Sequence, residues 1–136
     1  MTQASSQKLA QQYLRTQVES ARPTQLVVML YDGAIRFLTI AKEKMQAREI
    51  EPKHIHILKA QKILSELLGS LDAENGGEVA ANLRRLYAYM LNRTMEANVY
   101  DRTEPLDEVI SMLRELRASW SELDQAQARA LAGAAA

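Results

Sequence analysis

Few side chains in this 136-residue chain have the types and spacing that chemistry needs. Glu51 and His54 stand three apart, the Glu-x-x-His spacing that places two metal ligands on one helical face, and His56 follows two residues later. A dinuclear site in a helical bundle needs two such pairs and two more inward carboxylates, whereas here a single pair straddles Pro52 in a polar run. His54 and His56 point roughly 200° apart on a helix, and with no Cys there is no thiolate to complete a zinc set. No serine lies in a Gly-x-Ser-x-Gly elbow. Gly76-Gly77 lacks the preceding strand and the Lys-Ser/Thr pair of a phosphate-binding loop, so it reads as a turn. Arg84, Arg85 and Arg93 have no aromatic platform beside them and read as a solvated helix face. These residues predict no catalytic group, no metal site and no cofactor.

Charge and composition narrow the classes further. Seventeen Lys plus Arg balance seventeen Asp plus Glu, so no net field favours nucleic acid. The chain is 47% hydrophobic and 25% charged, a globular composition, and the absence of Cys removes disulfides. Residues 1–12, MTQASSQKLAQQ, lack the apolar stretch of a secretory signal, which predicts a soluble cytoplasmic protein without membrane insertion.

What must position any site is helical, because apolar residues recur every three to four positions and nothing alternates with period two. The spacing predicts helices over 23–48, 52–71, 78–101 and 105–123, with Pro23 suited to a first helical turn and DAENGG at 72–77 forcing a reversal. Four long amphipathic helices with short connections make an all-α, antiparallel up-and-down four-helix bundle. Leu9, Tyr13 (or Leu14) and Val18 space a further short helical segment that must dock to be stable. The chain therefore divides into an N-terminal docking or cap segment at 1–22, the bundle at 23–123, and an Ala-rich flexible tail at 124–136.

The first long helix carries two apolar stripes. Leu26, Met29, Leu30, Gly33, Phe37, Ile40, Ala41 and Lys44 form the one expected to be core, and Asp32 is expected to pair with Arg36 one turn on. Val27, Tyr31, Ala34, Leu38 and Met45 form a second, surplus stripe, which either packs on another helix of the bundle or receives a foreign amphipathic segment. Gly33 costs roughly 1 kcal/mol relative to Ala inside a helix, and close approach by another backbone is the expected return. Met29, Met45, Met90, Met95 and Met112 add adaptable apolar surface, as core filler or as a binding face.

Several strings resemble one family. Leu30-Tyr31-Asp32-Gly33-Ala34-Ile35-Arg36-Phe37-Leu38, then Leu71-Asp72 with Gly76-Gly77-Glu78, Asn82-Leu83 and Leu86-Tyr87-Ala88-Tyr89-Met90, then Glu96-Ala97-Asn98, Leu106-Asp107-Glu108-Val109 and Leu116 to Trp120 follow the order and spacing of the flagellar secretion chaperone family, FliS. The resemblance implies a four-helix bundle that embraces the disordered C-terminal segment of flagellin, keeping the subunit unpolymerised and threadable through the export apparatus, with no nucleotide. It also implies a partner at the export gate. The groove is expected from Val27, Tyr31, Ala34 and Leu38, with Ile63 and Leu67 and then Tyr87, Met90 and Asn98 as adjoining walls. Tyr13 and Val18 match the family's N-terminal Tyr-x-x-x-x-Val pattern and are expected to cap the empty groove or dock on the export gate. One departure is Arg22 where the family places a capping Ser, expected to cost about 1 kcal/mol unless Ser20 or Thr24 compensates. Two readings of other classes stand beside this one: a self-associating bundle whose spare stripe is a homodimer interface, and a metal-binding bundle built on Glu51, His54 and His56.

Overall fold

The structure, a computed structural model, describes residues 8, 9, 12, 21–72 and 74–135. Four helices follow in order: α1 Pro23–Gln46, α2 Ile50–Gly69, α3 Gly77–Tyr100 and α4 Glu104–Ala135. Among the described residues there is no strand, and the antiparallel four-helix bundle is as the periodicity predicts. Tyr13 and Val18, and with them most of the 1–22 segment, lie outside the described residues.

Each helix end has a local cause. Pro23 occupies the first turn of α1, where a missing N–H is harmless. Arg48, with φ 60°, turns the chain left-handed between α1 and α2, and Asp101, with φ 51°, does the same after α3. At the long reversal Asp72 Oδ1 accepts the backbone N–H groups of Glu74 and Asn75, both at 3.1 Å. These bonds hold the Asp72 carboxyl below its ordinary range, Asn75 contributing most. A Cβ on Gly76 would stand 2.5 Å from the Asp72 carbonyl oxygen, so only glycine lets the chain fold back this tightly.

α1 and α3 take opposite corners of the bundle, each packed on α2 and α4, and the α1–α2 contact is the most extensive. The centre contains Tyr31, Leu38, Ile57, Leu64, Met90, Leu106 and Leu113, all without exposed surface. Relative to expectation the two stripes of α1 largely change places, although Ala41 of the expected core stripe is fully buried and Val27 of the surplus stripe is only half-buried. Tyr31, Ala34, Leu38, Ala41 and Met45 form the core line, while Leu26, Leu30, Gly33 and Phe37 are half-buried. The latter run about 100° round the helix from the core line, towards α2. Both stripes are apolar because α1 packs inward with one and sideways with the other. By length and composition α1 could cross a bilayer, but this apolar content goes into the bundle.

Three smaller expectations change. Gly33 receives a side-chain tip, not a backbone: its added Cβ would lie 3.2 Å from Ile63 Cδ1. Asp32 pairs with Arg117 of α4, not with Arg36. The Arg22 cap has no side-chain bond to the helix N-terminus, and Thr24 does not supply one. Arg22 instead grips Asp124 through Nε and Nη2 at 3.0 and 3.1 Å, and Thr24 Oγ1 donates to the same carboxylate at 2.8 Å.

That grip extends α4 beyond the predicted stop at 123, because Thr24 Oγ1 also lies 2.9 Å from the Gln127 carboxamide. Arg22 first, and then Thr24, hold the Asp124 carboxyl below its ordinary value of 3.8, against desolvation. Such a group contributes stability above the unfolded value, lost as pH falls through the folded one. Asp124→Asn, or acidification below about pH 4, is expected to speed amide exchange in residues 124–131 while the core line of α1 stays protected. Equal loosening of both regions would mean that the grip is part of the global fold.

Candidate functional site

At the end of the bundle where residues 1–22 join α1, the four helices leave an apolar cleft of about 300 Å³. Val27 comes from the start of α1, Leu67 from the end of α2, Leu71 from just beyond it, Val79 and Leu83 from the start of α3, and Trp120 from α4. The cleft lies where the Asp72–Gly76 reversal folds α3 back beside the start of α1. Val79 is 69% exposed on the wall, whereas Leu67 and Tyr87 are 2% exposed and form the floor. A recess of this composition suits an apolar side chain or helix face more than a polar metabolite.

Below the floor, the hydroxyls of Tyr31 and Tyr87 meet at 2.5 Å across the bundle diagonal, with ring centroids 6.5 Å apart. Burial pushes both phenols above their ordinary range; the shared bond raises Tyr31 further and partly relieves Tyr87. Trp120 acts weakly in the opposite sense on Tyr31. Each buried hydroxyl thus has a partner, and neither ionises near neutral pH.

The nine expected groove residues do not gather into one groove. Val27, Leu67 and Tyr87 meet at the cleft. Tyr31, Ala34, Leu38 and Met90 are fully buried and present nothing to solvent. Ile63 is half-buried against Gly33 on the α1–α2 seam. Asn98 belongs to the α2–α3 seam, where its amide donates to His54 Nδ1 at 2.8 Å. That bond and the Gln61–Thr94 bond at 3.1 Å fix the register of α2 on α3. Leu58 and Met95, 47% and 54% exposed, lie between these bonds in sequence. Leu71, Leu83 and Trp120 were legible only as members of the strings shared with the family, and Val79 only as an apolar position of the helix predicted over 78–101. Their convergence follows from Pro23 and the 72–77 reversal standing at the same end of an up-and-down bundle.

The polar candidates have structural partners. His56 donates from Nδ1 to the Pro52 carbonyl at 2.7 Å, one turn back on its own helix. Among the described residues no three His, Asp or Glu side chains converge as metal ligands. Arg93 is held by Glu96 at 2.5 Å and Glu108 at 3.1 Å. Sequence pattern did not single out Lys53, which is 3% exposed and bridges the Asn98 carbonyl at 3.0 Å and Asp101 at 2.5 Å. This cation closes the C-terminal end of α3, where the helix dipole favours positive charge.

Fold and cleft together define a small all-α bundle with an apolar recess assembled from all four helices. Residues 5–127 match the flagellar protein FliS family. The chain is 41% identical to the flagellar secretion chaperone FliSB of Pseudomonas aeruginosa over 79% of its own length and 85% of that protein. It is 35% identical to the flagellar secretion chaperone FliS of Salmonella typhimurium over 84% of this chain and 85% of that one, and 30% identical to that of Bacillus subtilis over 85% of each. The chain belongs to the FliS family of flagellar secretion chaperones.

Proposed function

We propose that the chain binds the C-terminal segment of flagellin in the cytoplasm, covers the apolar stripe by which subunits polymerise, and hands the subunit to a component of the export gate. The observation that supports this reading is the open apolar cleft at the junction with residues 1–22, in a chain of the secretion-chaperone family. Val27, Leu67 and Tyr87 contribute the contact at the cleft. Asn98 on the α2–α3 seam, with Leu58 and Met95, extends the apolar track, as Ile63 does on the other side of α2. Tyr31, Ala34, Leu38 and Met90 support these walls from inside.

Capture of a disordered segment suits the task, because the ordering of the client offsets part of the gain from apolar burial and leaves the complex reversible. Residues 1–22, with Tyr13 and Val18, occupy or flank the cleft when no client is bound and dock on the export gate. Calorimetric titration of the full chain with a synthetic peptide of about forty C-terminal flagellin residues, a length that a wrapping ligand needs, tests the binding. One-to-one association with a negative heat-capacity change is expected. Val79→Asp should weaken it at least about tenfold, the effect of a charge in an apolar contact, with unchanged helical content. No heat at several temperatures from the folded chain would overturn the reading. A concentration-dependent dimer in its place would favour self-association. Removal of residues 1–18 should raise the association rate; unchanged kinetics would argue against a cap.

A further inference from the structure

On the outer side of the α1–α2 seam, well away from the cleft, Phe37 is half-buried with two cations on its ring. The Arg36 guanidinium carbon lies 5.3 Å from the ring centroid and Lys59 Nζ 5.5 Å, while the His56 ring centroid stands 6.2 Å away. Lys62 follows Lys59 by three residues on the same side of α2. Arg36, Lys59 and Lys62 have no carboxylate partner among the described residues, as is also true of Arg48, Arg84, Arg85, Arg114 and Arg129, but they stand together on one side of the α1–α2 seam. Asp32, the carboxylate one turn before Arg36, is taken by Arg117 across the α1–α4 seam. Packing has tied up the acid nearest Arg36 and left three cations without an ion pair on this side, Arg36 and Lys59 against the Phe37 ring and Lys62 a turn further along α2, with the exposed Glu66 a turn beyond Lys62.

We propose that Arg36, Lys59 and Lys62 around Phe37 form a docking face for an acidic, apolar helical segment of a protein partner. Carboxylates would meet the three cations, and a neighbouring apolar side chain would rest on Phe37 and the half-buried Ile40. Charge complementarity chooses the occupant: the face carries three cations without an ion pair, with Glu66 at its edge, yet it spans only about two helical turns in a chain of zero net charge. It is too short to follow a nucleic-acid backbone, and its ring requires an apolar contact that a phosphate does not make. The face is separate from the cleft itself, although it shares the α1–α2 seam with Ile63.

The test uses the full chain and two synthetic helical peptides of about 15 residues, long enough to hold a helix. One carries Glu and Leu along one side, the other Gln in place of each Glu. A single-stranded oligonucleotide of matched charge is the third probe. The Glu peptide is expected to shift the backbone amides of residues 33–40 and 56–63. Its affinity should fall about tenfold on raising salt from about 50 to about 500 mM, and by a similar factor in the Arg36→Gln/Lys59→Gln variant, which loses two rim charges. That variant should melt at the temperature of the parent chain. Equal binding of the Gln peptide, shifts confined to other residues, equal binding of the oligonucleotide at these residues, or no shift with the Glu peptide up to about millimolar concentration, the weak limit of specific recognition, would each overturn the proposal.

Discussion

Leu38→Asp is expected to leave the chain without a cooperative fold, and Leu38→Ala to lower its stability by about 3 kcal/mol. Leu38 has no exposed surface and sits in the core with Tyr31, Met45, Leu64 and Leu113. The Ala variant loses the transfer energy of the removed carbons and leaves a cavity that rigid neighbouring helices close only in part. The Asp variant adds an unpaired carboxylate, whose burial costs several kcal/mol more, against a total stability of roughly 5–15 kcal/mol for a domain. Met29→Gln provides the contrast, since Met29 lies only half-buried on the outer side of α1 and should change stability by less than about 1 kcal/mol. Urea titration followed by circular dichroism reads all three. If Leu38→Asp kept a sharp transition near that of the parent and lost only flagellin binding, the stripe through Leu38 would be the groove that the sequence pattern first suggested.

The same contrast shows what a sequence can carry. The 3.6-residue period, Pro23 and the DAENGG reversal each act within a few residues, so four helices and their antiparallel order were legible. Which stripe of α1 faces inward was harder, because both repeat every three to four residues. Two details separated them. Ala34, joined by Ala41 from the other stripe, alternates with Tyr31, Leu38 and Met45, leaving room for close helix approach, while the stripe expected to be core ends at Lys44. The Arg22–Asp124 and Asp32–Arg117 pairs join residues that no local rule connects, and so the ordered length of α4 and the partner of Asp32 appeared only in three dimensions. For the candidate site, the strings shared with the FliS family pointed to the right function class but did not distinguish cleft lining from core. Tyr31 and Tyr87 belong to these strings, and one supports the floor that the other forms.

Tyr31→Phe and Tyr87→Phe are each expected to cost about 2 kcal/mol, and the two together little more than either alone. The hydroxyls meet at 2.5 Å between rings that are almost fully enclosed. Removing one leaves the other buried without this partner, which carries the full desolvation penalty; removing both replaces a satisfied polar pair by two apolar rings of nearly the same shape. Additive losses in the double-mutant cycle would show that the hydroxyls act separately. The pair also gives a pH signature. Both phenols lie above their ordinary value of 10.0 in the folded chain, chiefly through burial, so the unfolded chain releases its protons first. Stability is therefore fully present below about pH 10 and falls as pH rises beyond it. Tyr31→Phe/Tyr87→Phe should lose the part of this alkaline slope that burial causes, while Tyr89, exposed but raised chiefly by its bond to Glu108, keeps its own contribution. A slope unchanged in the double variant would place the alkaline sensitivity outside the core. Loss of the slope with the proposed binding of the flagellin peptide retained would separate the two roles of Tyr87, a hydroxyl that closes the core and a ring that forms the floor.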